Sequence, residues 1–205
     1  MKTALISVSN KEGLEIIVPI LVKYDFRILS SGGTARKIRG LGYAVREVSE
    51  YTGYPESPDG LVKTLHPKIH GGILLNPENP AHNEYMKRRG IEPIDLVVVN
   101  LYPFERVIHK DGVAFSRVVD NIDIGGPALI RAAVKGALLK GSPAVVIDPK
   151  QYNLVIDELE RNDGAILPRA VGYLAVEAFK RTEAYDSVIM TYLDWLSESG
   201  SDLVI

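Results

Sequence analysis

Residues Phe26–Gly42 read FRILSSGGTARKIRGLG. FRILS is a short apolar run of strand type, and SGGTARKIRGLG is a glycine loop entering a helix. A strand that turns through glycines into a helix is the repeating unit of an open α/β sheet. The unit recurs on both sides. Upstream, Thr3–Val8 is a β-rich apolar run, after which Ser9, Asn10 and Lys11 open a helical pattern with Leu14, Ile17, Val18 and Leu21 on one side. Downstream, YAVREV (43–48), IDLVVVN (94–100) and PAVVIDP (143–149) read as further strands. The unbroken apolar character of the last two is that of parallel strands buried on both faces.

Beyond PAVVIDP, helical segments are expected to begin near Lys150, Pro168 and Glu183. The predicted architecture is therefore α/β: a mainly parallel sheet flanked by helices over about 1–150, with a C-terminal helical tail over about 150–200. No repeat, low-complexity tract or flexible linker divides the chain, so 1–205 is read as a single domain. Between Ser49 and Leu75 the periodicity fails and glycines and prolines accumulate, and such irregular segments are often functional.

Composition narrows the classes of function. The 205 residues carry 24 Lys and Arg against 26 Asp and Glu, and the one tight basic cluster, Lys87–Gly90, suits the C-terminal end of a helix. Extended nucleic-acid binding is not expected. The absence of cysteine excludes disulfides, thiolate catalysis and cysteine-ligated zinc or iron–sulfur centres. The N-terminal apolar run is too short for a signal peptide and no stretch approaches a membrane span, so a soluble, cytoplasmic protein without membrane contact is expected.

In an open parallel sheet, ligands collect where strands end and helices begin, because helix N-termini present unpaired N–H groups and a positive dipole. Three junctions qualify: SVSNK (7–11), SSGGTA (30–35) and NIDIGGPALIRAAVK (121–135). The second resembles a phosphate cradle, with Ser31 and Thr34 as hydroxyl donors beside Gly32 and Gly33, but lacks the Gly-Lys-Ser/Thr ending of a nucleotide-triphosphate loop. In the third, Asp123 precedes Gly125, Gly126 and Pro127. Each has a plainer alternative: a simple N-cap at Ser9–Lys11, an ordinary turn at the glycines, and a capping role for Asp123. Lys63 reads equally as a solvated charge and Tyr102 as a core aromatic. His66 and His70, with Pro67 between them and no zincin glutamate, do not form the helical zinc motif.

Together, SVSNK, SSGGTA, DGLVKTLHPKIHGGIL, IDLVVVNLYPF and NIDIGGPALIRAAVK occur in the order and spacing of the inosine monophosphate cyclohydrolase domain of the bifunctional purine-biosynthesis enzyme. The resemblance runs from about Ala4 through AYDSVI (184–189). It implies a methylglyoxal-synthase-like fold and closure of the purine ring of formyl-aminoimidazole-carboxamide ribonucleotide with loss of water, without metal or organic cofactor. It also implies a homodimer. In the usual enzyme a formyltransferase domain follows; this chain is too short to hold it, so a separate formyltransferase is expected to supply the substrate.

Carried over by position, Ser9, Lys11, Ser31, Gly32, Gly33 and Thr34 look like the phosphate site. Asn10, Thr64 and Asn100 look like further substrate contacts, and Ile124 and Gly125 look like contacts to the base. Lys63, Tyr102, Asp123 and Lys135 match the catalytic positions. Addition of the carboxamide nitrogen puts negative charge on the formyl oxygen, and N–H groups near Ile124 and Gly125 are candidates for an oxyanion hole. Lys135, two to three turns into the helix, would meet Asp123 only if the preceding chain folded back.

The chain departs from the family at Leu61, where an arginine is usual, at Gly136-Ala137, where Asn-His is usual, and in the longer link GALLKGSP (136–143). Gly136 is expected to end or loosen the helix. Two other readings share the fold: a non-catalytic module sensing a nucleotide or phosphosugar, and methylglyoxal synthase. Lys63, Tyr102, Asp123 and Lys135 together argue against the first, and VKTLHP and NLYPF against the second.

Overall fold

The computed structural model describes residues 1–57, 62–102, 104–108 and 113–198. Leu61 lies outside them. Five parallel strands form one sheet in the order β3-β2-β1-β4-β5: β1 Lys2–Val8, β2 Phe26–Ser30, β3 Arg46–Glu47, β4 Leu96–Asn100 and β5 Ala144–Val146. In β1, Ala4, Leu5 and Ile6 are all 0% exposed. Because successive strand side chains point to opposite faces, both faces of the sheet are covered.

Two groups of helices provide that cover. Helix α1 (Leu14–Lys23) packs on β2, α2 (Gly32–Gly40) and α9 (Tyr152–Arg161). Its buried residues are the four expected, Leu14, Ile17, Val18 and Leu21. Helix α8 (Gly125–Lys140) packs on β4, β5, α4 (Pro67–Leu74) and α10 (Pro168–Glu198).

The tail differs from expectation. The segments beginning at Pro168 and Glu183 are one helix of 31 residues, not two. The polar run near Lys180 resembles a break, but the buried stripe Val171, Leu174, Ala175, Ala178, Thr182 and Tyr185 continues through it. The buried Thr182 hydroxyl donates to the Ala178 carbonyl at 3.1 Å, so its burial leaves no polar group unpaired.

Two further differences lie at the β3 edge. YAVREV forms only a two-residue strand, since Glu47 already caps α3 (Val48–Thr52) in a reciprocal capping box with Glu50. The irregular segment contains α3 and α4. Helix α4 starts where the His66 Nδ1 accepts the Lys68 N–H at 3.1 Å, with Pro67 at the first helical position. The basic cluster closes α5 (Pro80–Arg89), and Gly90 follows in the left-handed conformation at φ 60°.

Gly136 does not end α8. The helix runs on to Lys140, and Gly141 terminates it at φ 72°. A Cβ on Gly136 would lie 2.7 Å from the Ile73 carbonyl oxygen and 3.0 Å from Pro143 Cδ. This glycine therefore serves the close packing of α8 on α4.

Strand β1 lies between β2 and β4, and the chain builds one flank (β2, β3) before crossing to the other (β4, β5). The ends of β1, β2 and β4 thus open side by side at a topological switch point, where a crevice is expected.

Candidate active site

At those strand ends lies a polar cavity of about 420 Å³, lined by Ser9, Lys11, Ser31, Gly33, Thr34, Lys63, Thr64, Asn100, Tyr102, Asp123, Ile124 and Gly125. All three predicted junctions and the VKTLHP segment therefore meet in one place. Ser7, Val8, Val99, Asp120, Asn121, Ile122 and Gly126 complete the lining.

The wall formed by β1, β2 and α2 is cationic. Ser31 caps α2 in an extended conformation without a side-chain cap bond, leaving the first-turn N–H groups to an incoming anion. The Lys11 ammonium donates to the Ser9 carbonyl at 3.1 Å, and its Nζ lies 3.7 Å from the point a Cβ on Gly33 would occupy. The Lys63 Nζ lies 3.2 Å from the corresponding point on Gly32, which is left-handed at φ 54°. Two ammonium groups therefore stand over the glycine turn, and a side chain there would crowd them.

Several predicted substrate contacts have structural partners instead. The Thr34 hydroxyl donates to the Val8 carbonyl at 3.0 Å and accepts the Val8 N–H at 3.3 Å. A hydroxyl has one proton, so Thr34 has no side-chain donor left for a phosphate; it ties α2 to the end of β1. The Asn100 carboxamide oxygen accepts the Ser9 and Asn10 N–H groups at 2.7 and 2.9 Å, and its NH₂ donates to the Asn10 carbonyl at 2.9 Å. It shapes the loop of residues 9–11. The Asn10 side chain bonds to Glu12 and is not part of the cavity lining.

The opposite wall is acidic, with Asp120 and Asp123. The Asp123 Oδ1 accepts the Gly126 N–H at 2.8 Å. Burial raises the Asp123 pKa above the ordinary carboxylate value, although the nearby backbone amides of Gly126, Tyr102 and Gly125 oppose the shift. Asp123 therefore closes the first turn of α8 while its carboxyl sits above the ordinary carboxylate range. Gly126 is required beside it: a Cβ there would lie 2.5 Å from Asp123 Oδ2 and 2.6 Å from Leu101 Cδ2.

Thr64 is 5% exposed, with its hydroxyl 3.4 Å from the point a Cβ on Gly125 would take, so the VKTLHP segment closes against the start of α8. Tyr102 is 54% exposed and lines the cavity, which rules out the core-aromatic reading. Lys135 is exposed on α8 and is not in the lining. Ten residues past the helix start, it lies about 15 Å along the axis. Among the described residues no group of three or more His, Asp or Glu side chains is arranged to hold a metal ion, and His66 and His70 act within α4.

Sequence reasoning passed over Asp120, Asn121 and Ile122, although Asn121 and Ile122 stand in the motif that exposed Asp123. It also passed over Tyr185, which lies in AYDSVI; its phenol accepts the Asp123 N–H at 2.7 Å. No local signal joins positions 62 residues apart.

A five-stranded parallel sheet with a polar crevice at its switch point defines an open α/β protein. The MGS-like domain model matches residues 13–128, and the AICARFT/IMPCHase bienzyme model matches residues 141–203. The chain belongs to the MGS-like domain family. It is similar to proteins named bifunctional purine biosynthesis protein PurH, being 48% identical to that of Bradyrhizobium diazoefficiens, 46% to that of Magnetococcus marinus and 50% to that of Rhodospirillum rubrum. These alignments cover 93%, 98% and 92% of this chain but only 35%, 37% and 35% of the relatives, so the chain spans little more than a third of their length. A solved crystal structure of a protein called ForH superposes with a TM-score of 0.79 at 30% identity, covering 92% of this chain and 97% of ForH.

Proposed function

We propose that this chain is an inosine monophosphate cyclohydrolase, closing the purine ring of 5-formamidoimidazole-4-carboxamide ribonucleotide in purine biosynthesis. The observation that carries the reading is one cavity with a cationic, N–H-rich wall opposite a half-buried carboxyl of raised pKa. The similarity to PurH proteins supports it.

The reaction joins two groups already in one molecule, so holding the reactive rotamer removes much of the barrier. The phosphate binds at the start of α2 beside Lys11, Ser9 and Ser31. The carboxamide nitrogen attacks the formyl carbon, forming the new C–N bond. The nitrogen loses a proton and the formyl oxygen gains one; the resulting hydroxyl then takes a second proton and leaves as water, while the former formamido nitrogen loses its N–H proton and forms the ring C=N bond. Asp123, with its raised pKa, accepts the carboxamide nitrogen's proton. Lys63 polarises the formyl oxygen and delivers a proton to it, and Tyr102 hydrogen-bonds the base. The position of Lys135 leaves it outside this assignment.

The natural setting is the cytoplasm, where a formyl-transfer activity supplies the substrate. We also propose a homodimer: Leu138, Val176 and Phe179 line an exposed apolar groove of about 490 Å³ between α8 and α10, a surface that a second copy would cover. Sedimentation that finds only monomer at working concentration overturns the dimer.

Purified protein incubated with the formylated ribonucleotide should form inosine monophosphate, followed by ultraviolet absorbance, faster than no-protein and heat-inactivated controls. Nucleotide binding with no rate above those controls would instead establish a non-catalytic binding module.

A further inference from the structure

We propose that Tyr185, on the C-terminal helix and outside the cavity, is a positioning residue that holds the two rims of the site in register. This inference rests on the cyclohydrolase reading.

The ring is 1% exposed and the hydroxyl lies between two backbone groups of the acidic rim: it accepts the Asp123 N–H at 2.7 Å and donates toward the Asn121 carbonyl at 3.5 Å. The same ring packs edge-on against Phe104, with centroids 6.3 Å apart and planes at 74°. The Phe104 N–H donates to the Tyr102 carbonyl at 2.9 Å, so the aromatic contact continues directly into the other rim. One side chain therefore touches the backbone that carries Asp123 and the element that follows Tyr102.

Both attachments are stiff. Tyr192, two turns further along α10, meets Phe104 from another side at 6.0 Å, and the Arg181–Glu105 ion pair at 3.4 Å joins α10 to α6 (Phe104–Ile108) again. The turn at Asp123 has no side-chain cap from its own N-cap residue Ile124. Its backbone is fixed instead from a distant helix, and its carboxylate by the Gly126 N–H at 2.8 Å. Removing the phenolic oxygen leaves a buried N–H without an acceptor, which the turn relieves by moving toward water.

Tyr185→Phe keeps the ring and its packing. At a temperature where the variant is folded, kcat should fall by roughly tenfold or more while KM and the affinity for inosine monophosphate change by less than about threefold. The acid limb of the rate profile should shift toward lower pH as the carboxyl gains water. Hydrogen exchange at the Asp123 amide should accelerate. Thr182→Val, one turn earlier on the same buried stripe, serves as the control: it alters stability and leaves the pH limb in place.

Unchanged kcat and Asp123 exchange in folded Tyr185→Phe, or equal pH shifts in the two variants, overturn the inference. Absence of ring closure by the wild-type protein overturns the cyclohydrolase reading instead. In that case Asp123 exchange alone decides whether Tyr185 holds the turn, and unaltered exchange removes this role too.

Discussion

Asn100, at the end of β4, holds the backbone of Ser9 and Asn10 with three hydrogen bonds of 2.7 to 2.9 Å. The loop that follows the central strand is thereby shaped by the neighbouring strand. Asn100→Ala removes one acceptor and one donor and exposes three backbone groups to water. We expect a stability loss of about 1–3 kcal/mol and nucleotide binding weaker by about tenfold, because the loop must then be ordered at the moment of binding. Thermal denaturation and calorimetric titration measure the two effects; unchanged affinity would separate this loop from phosphate recognition.

At Gly126 the space for a side chain is already filled by Asp123 and Leu101. Gly126→Ala should displace the carboxylate and destabilise the fold by about 1–3 kcal/mol. Turnover should fall more than the affinity for nucleotide does, since the phosphate wall is on the other side of the cavity. A variant with wild-type kcat would show that Asp123 need not occupy this position.

The raised pKa of Asp123 gives a pH signature of definite sign. The folded state holds the proton more tightly than the unfolded chain, so this group favours folding most at pH below its ordinary value of 3.8 and loses that contribution as pH rises through the folded value. Denaturation of wild type and Asp123→Asn across pH should reveal this difference, opposite in sign to that of a salt-bridged carboxylate. In catalysis the ionised form is the base, so the acid limb of kcat/KM should lie above 3.8 and Asp123→Asn should lower kcat by about 10²–10⁴-fold.

Lys63 stands over the glycine turn, whereas Lys135 lies on the exposed face of α8. Lys63→Ala should reduce turnover by at least about a hundredfold. The loss in Lys135→Ala should be the smaller of the two. The reverse order in a steady-state assay would assign proton transfer to Lys135 and require its amine to enter the cavity by another route.

The strands FRILS and IDLVVVN, the buried face of α1 and the stop after the basic cluster were all legible because their causes are local: side-chain period, glycine dihedrals and unpaired terminal groups. The motif resemblance, and not this locality, marks Lys63, Tyr102, Asp123 and Lys135 as a set. Locality also misled. Gly136 looked like a helix end because glycine weakens an isolated helix, but here its missing side chain admits the backbone of α4. Thr34 looked like a phosphate donor because nothing in the sequence reveals that Val8 already accepts its proton.

Residue order by itself determined the parallel α/β class and the three anion-ready junctions, because dihedral preference and apolar period act over a few neighbouring residues. Only the tertiary structure decided which polar groups remain free for a ligand, that α10 supplies the partner of the Asp123 turn, and that Lys135 stands apart. Those outcomes depend on hydrogen bonds and close contacts between positions tens of residues apart, and such pairings exist only once the chain has packed.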